Sequence, residues 1–262
     1  MKNIRSCPVH HYTSEGRTLK EESIAEETLI RIMVNGAVLV QLLGSPEHAK
    51  ELAIGHLMTQ HGHQRSHVTS VETSIQDGAI EVTVTTSTHA ITNQRHGIVT
   101  SSCGACDQSG LTELIKVAPI VSNPSVMFDL EAIIQRLHSM RDQQTGFQLT
   151  GGMHAAGVYA TEHDHLVVME DIGRHNAVDK VYGAWYEVTT ERPNVLLLSG
   201  RCGWDIVAKA AAMDTAIIAC FGAASRLAVD TARAANMTLI TFVRGEKANI
   251  IGPVEGRFHR KH

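Results

Sequence analysis

Short apolar runs alternate with alanine-rich segments in the last part of the sequence, and this alternation most constrains the fold. After Pro193, the runs "VLLLS", "TAIIACF" and "LITFV" are separated by "GWDIVAKAAAMD" and "SRLAVDTARAANM". Continuous apolar runs are typical of strands buried on both faces, and the intervening segments are typical of helices, the second with Ser225 as its N-cap. The order predicts a parallel α/β sheet with right-handed crossover connections.

Two β-hairpins are predicted in the first part of the chain. Asn35-Gly36 separates "TLIRIMV" from "AVLVQLL", and Asp77-Gly78 separates "VTSVETSI" from "AIEVTVTT". Both dipeptides favour type I′ turns, because the two central residues of such a turn need positive φ angles. Residues 20 to about 90 are therefore expected to form an antiparallel α+β unit.

Three longer helices are predicted outside these segments. The first has Ser45 as its N-cap, Pro46 as its first residue and Gly62 at its end. The second covers about 129–143, and the third covers "RHNAVDKVYGAWYE". Between the second and the third, "GMHAAGVYAT" and "LVVMEDIG" are expected to pair as strands.

Net charge and hydropathy argue against several classes of protein. The formal net charge is −4, so the chain has no bulk basic field that would bind nucleic acid or an anionic membrane. The start, "MKNIRSCPVHHYTSEG", lacks the apolar core of a secretory signal, and the longest apolar run is too short to span a bilayer. We therefore expect a cytoplasmic protein that binds neither nucleic acid nor a membrane.

A C-x-x-C motif lies in "TSSCGACDQSG", within a polar connector that covers about 92–125. A structural zinc site needs four ligands, and no second pair accompanies Cys103 and Cys106, so no structural zinc is expected. A zinc deaminase needs an H-x-E that this chain lacks, and Ser102 occupies the position of its proline. A thioredoxin-like dithiol belongs at a helix start after a strand, which is not the setting here.

A sulfur carrier fits the motif better. Sulfur transfer needs an accessible thiolate that can reach two partners in turn, and Gly104 removes bulk beside Cys103. The second cysteine, Cys106, can attack a persulfide or form a disulfide once the sulfur has left. The alternative is an incidental pair of surface thiols. The odd number of cysteines, five in all, does not indicate a disulfide framework.

The ends of the three predicted parallel strands carry the segments "SGRCG", "GAAS" and "RGEK". Ligands of parallel sheets bind beyond the carboxyl ends of the strands, so Arg201, Ser225, Arg244 and Lys247 are expected along one edge. This arrangement favours a ligand that carries phosphate or pyrophosphate. The alternative is a set of ordinary turns, since the chain contains neither a P-loop nor a G-x-G-x-x-G fingerprint.

Two further motifs are rich in polar residues. "EDIGRHNAVDK" places seven polar side chains at one strand-to-helix junction, where one or two would suffice as caps. About half of them are expected to be caps and ion pairs, and Arg174 and His175 are the candidates for function. "TGGMHAAG" adds His154 at the start of a strand. Four histidines in "HLMTQHGHQRSH", at 56–67, are expected to be solvated, with weak metal affinity at most.

Five segments in this order closely resemble the formate dehydrogenase accessory sulfurtransferase family (FdhD), over about 25–255. They are "SSCGAC", "TGGMHAAG", "EDIGRHNAVDK", "LLLSGR" and "FVRGEK". The resemblance implies a carrier that takes sulfur from a cysteine desulfurase. It implies transfer of that sulfur to molybdenum bis(molybdopterin guanine dinucleotide), which then enters the catalytic subunit of formate dehydrogenase.

The resemblance also implies roles for particular residues. Cys103 carries the persulfide and Cys106 assists. The cofactor, or GDP as a mimic, is bound by the stretch Phe242, Val243, Arg244, Gly245, Glu246 and Lys247, with Arg201, Ser225, Arg174 and His175 as further candidates. Asp107 follows Cys106 where the family usually has glycine, and its carboxylate disfavours the Cys106 thiolate.

The resemblance further implies a fold and an assembly. The expected fold is a cytidine-deaminase-like, three-layer α/β core preceded by a smaller antiparallel α+β subdomain. The expected divisions are 1–91 for the subdomain, 92–125 for the connector and 126–262 for the cofactor-binding domain, with a homodimer as the assembly. Two alternatives stay open: a non-catalytic chaperone that binds the molybdenum cofactor for formate dehydrogenase, and a stand-alone thiol reductase.

Overall fold

The computed structural model describes residues 2–87, 98–99, 111–161 and 165–259. Within these residues the chain forms three β-sheets and seven α-helices. The strands are β1 (Ile4–Thr13), β2 (Gly16–Ala25), β3 (Thr28–Val34), β4 (Ala37–Gly44), β5 (Val68–Gln76), β6 (Ala79–Thr86), β7 (Ile98–Val99), β8 (His154–Tyr159), β9 (Val167–Asp171), β10 (Val195–Leu198), β11 (Ile217–Cys220), β12 (Thr238–Arg244) and β13 (Lys247–Ile251). The helices are α1 (Ala49–His61), α2 (Leu111–Val117), α3 (Leu130–Asp142), α4 (Thr145–Thr150), α5 (Arg174–Val188), α6 (Trp204–Ala212) and α7 (Arg226–Ala234).

The largest sheet has six strands in the order β13-β12-β11-β10-β8-β9. The central strands β10, β11 and β12 are parallel, as the alternating apolar runs predict. The sheet as a whole is mixed, because β8 is antiparallel to β10 and β13 is antiparallel to β12. The short turn at Gly245 and Glu246 allows the chain to fold back and add β13 beyond the predicted last strand.

The second sheet has the order β5-β6-β3-β4-β7. Both predicted hairpins are present, and Asn35 and Asp77 have φ angles of 48° and 50° in their turns. The expectation of an antiparallel unit is nevertheless wrong, since β3 runs parallel to β6 and β4 runs parallel to β7. Helix α1 separates the two hairpins along the chain and allows β6 to return beside β3 in the same direction.

Helix α1 begins later than the sequence predicts. Its N-cap is His48, in a left-handed conformation, and not Ser45. Ser45 is buried instead, where its hydroxyl accepts a hydrogen bond from the backbone of Ile172 at 3.0 Å. The predicted end is confirmed, because Gly62 is the C-cap with a φ of 65°.

A third sheet, not predicted, is the two-stranded ribbon β1–β2. Most of its residues are exposed, including the large side chains of Tyr12 and Leu19. Strand β2 packs against α4, where Ala25 lies near Gly152. The strands escape prediction because neither face is apolar enough to give an alternating pattern.

Helices α1 and α5 connect the second sheet to the largest one. Their backbones touch: a Cβ at Gly55 would lie 1.8 Å from the carbonyl oxygen of Asp179, and a Cβ at Gly183 would lie 2.0 Å from that of Glu51. Helix α5 packs on β8 and β9, and α1 packs on β5 and β6. The division of the chain at 91 and 125 stays a prediction.

No helix in the described part of the chain is long and apolar enough to cross a membrane.

Candidate functional site

The loops that follow β10, β11 and β12 lie side by side at one edge of the largest sheet. The amide of Gly222 donates to the carbonyl of Gly200 at 3.1 Å, and the amide of Phe242 donates to the carbonyl of Gly222 at 3.0 Å. A bridge between Cys202 and Ala224 joins the first two loops again. The structure therefore brings together the three strand ends that the sequence singles out.

Gly222 allows this close packing. A Cβ at that position would lie 2.6 Å from the carbonyl oxygen of Gly200 and 2.9 Å from the Cα of Arg201. Real Cβ atoms do not approach backbone atoms so closely, so any larger residue would push the two loops apart. Glycine is needed here for loop-to-loop contact, whatever ligand the edge binds.

The polar side chains predicted for these loops differ in how much of them is available to a ligand. Arg201 is exposed. Ser225 is the N-cap of α7, and its hydroxyl accepts a hydrogen bond from the amide of Ala228 at 3.1 Å. Arg244 uses one guanidinium nitrogen to hold the carbonyls of Phe221 and Val243, at 2.6 and 2.7 Å.

The end of β12 and the start of β13 expose an aromatic ring and a charged side chain. Phe242 is half exposed and has a φ of 53°, which is rare for a bulky residue. The register of β12 against β13 shifts between Thr241 and Arg244, and this bulge turns Phe242 outward while Val243 stays buried. Lys247 stands opposite Arg244 and is exposed, as are Gly245 and Glu246.

Asp171 and Lys180, from "EDIGRHNAVDK", form a buried ion pair with an N–O distance of 2.7 Å. The Asp171 carboxylate also accepts hydrogen bonds from the backbone amides of Ser45 and Gly173 and from the side chain of Asn176. Lys180 donates to the carbonyls of Ser45 and Glu47. These contacts fasten the end of β4 to the start of α5.

Asp179 and Lys209 form a second buried ion pair, at 2.7 Å. The hydroxyl of Thr59 donates to Asp179 at 2.7 Å, and Nδ1 of His56 lies 3.2 Å from the same carboxylate. Burial acts to raise the pKa of Asp179, but the Lys209 ammonium and the His56 ring outweigh it and lower the pKa to about 2. The network joins α1, α5 and α6.

Glu170 also has a structural role, because its carboxylate accepts the amides of Gly146 and Phe147 in the first turn of α4. Five of the seven polar side chains in the motif therefore hold the fold together. The prediction that the histidines of 56–67 are solvated is wrong for His56 and His63, which are buried.

Arg174 and His175 are the other two polar residues of the motif. His175 is buried, and its ring contacts the carboxylate of Asp205 near the start of α6. Burial lowers the pKa of His175, and the cations Arg174 and Lys209 act in the same direction against the carboxylate of Asp205. Arg174 is half-buried at the first position of α5, after the N-cap Gly173, which supplies no side-chain cap.

His154 lies beside these groups at the start of β8. Its Nδ1 is 3.3 Å from the position that a Cβ on Gly200 would occupy, so the ring lies against the loop after β10. Burial lowers the pKa of His154, and the nearby guanidinium groups of Arg174 and Arg201 lower it further. The sequence places His154 at a strand entry but gives no sign that these three residues meet.

Cys103 and Cys106, with Asp107, lie outside the described residues. The flanks of their segment are described: β7 pairs with Gln41 and Leu42 of β4, and the indole of Trp204 donates to the carbonyl of Leu114 in α2 at 3.0 Å. Trp204 follows the Arg201 loop. Residues 100–110 therefore lie in the sequence between β7, which pairs with β4, and α2, which contacts Trp204 of α6.

Two cysteines lie along the edge itself, and burial disfavours their thiolates. Cys202 and Cys220 are buried, and burial raises the pKa of the Cys202 thiol well above its usual range and that of Cys220 to about 12. Both side chains pack in the protein interior. Within the described ranges, no three His, Cys, Asp or Glu side chains come together as a metal site would require.

Comparisons with known proteins agree with the resemblance in the motifs. The model of the FdhD/NarQ family matches residues 25–255. The sulfur carrier protein FdhD of Sulfolobus acidocaldarius is 31% identical over 94% of this chain and 96% of its own. The sulfur carrier protein FdhD of Mycolicibacterium paratuberculosis is 33% identical over 92% and 94%.

A crystal structure shows the same fold. It is that of a protein assigned as a formate dehydrogenase accessory protein from Desulfotalea psychrophila, with a TM-score of 0.76. The two chains are 21% identical, and the superposition covers 98% of this chain and 99% of the other.

Proposed function

This chain belongs to the FdhD/NarQ family, and we propose that it is a sulfur carrier that serves formate dehydrogenase. It accepts sulfur from a cysteine desulfurase as a persulfide on Cys103 and passes that sulfur to molybdenum bis(molybdopterin guanine dinucleotide). The observation that carries the proposal is the family match over 25–255 together with the C-x-x-C motif inside it.

The chemistry of loading is a thiol exchange. The Cys103 thiolate attacks the outer sulfur of the desulfurase persulfide, the sulfur–sulfur bond of that persulfide breaks, and the desulfurase cysteine leaves as a thiolate. For delivery, the Cys106 thiolate attacks the inner sulfur of the Cys103 persulfide. A disulfide forms between the two cysteines, and the outer sulfur leaves as sulfide for the metal. The two thiols supply the two electrons.

The sheet edge has the groups that an anionic dinucleotide needs. Three cations, Arg174, Arg201 and Lys247, form no ion pair among the described residues. The N-cap of α5 is Gly173, so no side chain caps the start of this helix. Helix amino termini and arginine side chains both favour phosphate groups. The exposed ring of Phe242 offers a flat apolar surface for a guanine base.

Further parts of the proposal concern setting and assembly. We propose a cytoplasmic homodimer whose partners are the desulfurase and the catalytic subunit of formate dehydrogenase. We also propose that the six-stranded sheet with its helices is the cytidine-deaminase-like, three-layer core, with GDP as a mimic of the cofactor. Ser225 and His175 then shape this site more than they bind the ligand, given their contacts within the protein.

The test is to incubate the protein with a cysteine desulfurase and cysteine and to measure its mass without reduction. We expect a gain of one sulfur atom, located on Cys103 by peptide mapping and absent from Cys103→Ala. Cys7→Ala, which removes an exposed cysteine of the β1–β2 ribbon, is the matched control and should gain sulfur normally. In cells lacking the native gene, Cys103→Ala should not restore formate dehydrogenase activity.

Sulfur on Cys103→Ala, or full restoration by it, would refute the carrier role. If no cysteine gains sulfur while the chain still binds the cofactor, the non-catalytic chaperone is the better function.

A further inference from the structure

His154 is surrounded by charged groups from three elements. His154 pairs with Asp171 across β8 and β9, Arg174 opens α5 three residues after Asp171, and Arg201 follows Gly200 in the loop after β10. All three charges lie near enough to act on the ring. The ring itself lies against Gly200 and is half-buried. The start of β8, the start of α5 and the loop after β10 thus place two arginines near one histidine.

The negative charge in this cluster is already used. Asp171 is fully buried, pairs with Lys180 at 2.7 Å and accepts hydrogen bonds from the amides of Ser45 and Gly173. No carboxylate of the described ranges forms an ion pair with either arginine of the cluster. The two arginines therefore give the cluster an excess of positive charge, which no carboxylate of the described ranges neutralises in an ion pair.

We propose that His154, Arg174 and Arg201 form a diphosphate subsite that takes up a proton on His154 when the ligand binds. This inference rests on the proposed function, because it assigns one diphosphate of the guanine dinucleotide to these three residues. The ligand class is a diphosphate diester, whose two negative charges match the two fixed guanidinium groups and leave the imidazole to follow the pH.

The physical reason for proton uptake is a change in the field at the ring. Without an anion, burial and two guanidinium groups disfavour the imidazolium, and the pKa of His154 is lowered. A bound diphosphate offsets both arginines and accepts a hydrogen bond from the charged ring. The pKa of His154 then rises, so protonation and binding favour each other, by about tenfold in Kd for each unit of pKa difference.

The probe is diguanosine diphosphate, whose bridging diphosphate does not titrate near neutral pH. Binding is measured by calorimetry at pH about 6 and about 8, in two buffers of different ionisation enthalpy, across the range where histidine changes charge. The wild-type protein should bind several-fold more tightly at the lower pH, with net proton uptake. Its His154 resonance should show a higher pKa when the probe is saturating.

Three variants separate the parts of the subsite. His154→Gln should bind with an affinity that depends clearly less on pH and with less proton uptake, because His175 beside Arg174 is the other histidine whose pKa is lowered here. Arg201→Gln should weaken binding at both pH values. His138→Gln is the matched control, because its ring contacts the carbonyl of Gly245 at the other end of the edge, and it should keep the pH dependence.

Several outcomes would overturn the inference. They are wild-type binding that does not change with pH, proton uptake that is undiminished in His154→Gln, and an unchanged pKa of His154 on saturation. Complete absence of probe binding would overturn it as well. In each case sulfur loading on Cys103, measured by mass, reports separately whether the carrier function itself holds.

Discussion

Asp179 and Lys209 show how much stability a single buried charge can control. Both side chains are fully buried, and Lys209 donates to both carboxylate oxygens of Asp179, at 2.7 and 2.8 Å. Desolvation makes such a pair costly to form, but removal of one partner leaves the other charge buried without compensation. The pair thus fixes the relative positions of α5 and α6, the helices that carry His175 and Asp205.

Lys209→Met should therefore lower the free energy of unfolding by about 3–5 kcal/mol, the usual cost of breaking a buried ion pair. Urea denaturation of the variant and the wild type measures the difference. The matched control is Lys50→Met, since Lys50 is exposed on α1, and it should change stability by no more than about 0.5 kcal/mol. A loss below about 1 kcal/mol for Lys209→Met would contradict this expectation, because it would mean that the variant does not leave the Asp179 carboxylate buried and unpaired.

At this scale the sequence predicts candidates better than it predicts roles. The density of polar groups in "EDIGRHNAVDK" points to a special junction, and the role of Arg174 and His175 in ligand binding stays a prediction. Nothing in the sequence shows that Asp171 pairs with Lys180 or that Asp179 reaches Lys209, because those partners are fixed by helix packing. The prediction that His56 is solvated is wrong for the same reason, because His56 is buried against Asp179 of α5.

The crossing of α1 and α5 holds the molecule together at the scale of elements, and it depends on two glycines. Gly55→Ala would improve helix propensity by about 1 kcal/mol, yet its Cβ would lie 1.8 Å from the Asp179 carbonyl. We expect a net loss of about 3 kcal/mol, because backbone atoms cannot move aside as a flexible side chain can. Thermal or urea unfolding of Gly55→Ala measures it.

The control for this substitution is Gly152→Ala. Its Cβ would meet the nearest atom, on Ala25, at 3.5 Å, which is an ordinary contact. Its stability should stay within about 0.5 kcal/mol of the wild type. Equal stability of Gly55→Ala and Gly152→Ala would mean that α1 and α5 are not in backbone contact.

Elements with strong local signals were predictable, and those defined by partners were not. The residues within an element are enough to predict some of them. Continuous apolar runs predict the strands β10, β11 and β12, and the dipeptides that begin at Asn35 and Asp77 predict the turns. Strand β13 depends on a bulge in β12, and the ribbon β1–β2 has exposed faces without a pattern. The N-cap of α1 is His48 and not Ser45, because the hydroxyl of Ser45 instead accepts a hydrogen bond from the amide of Ile172, just before α5.

Over the whole molecule, the topology gathers histidines and arginines at one sheet edge, and this has a consequence for stability. Burial lowers the pKa of His154 and of His175, and cationic neighbours reinforce the effect. In the unfolded chain both groups have an ordinary pKa near about 6.5. As the pH falls through that value, the unfolded chain binds protons that the native site resists, so the unfolding free energy decreases.

We therefore expect urea midpoints that are constant above about pH 7.5 and fall progressively between about pH 7 and pH 5. His154→Gln should reduce this dependence, because glutamine cannot take up a proton in either state. His11→Gln, on the exposed β1–β2 ribbon, should leave the dependence unchanged and is the control. Stability that rises on acidification would mean that the folded protein binds protons at this edge more readily than the unfolded chain does. In that case the two arginines could not be the uncompensated cations that make the site attractive to a diphosphate.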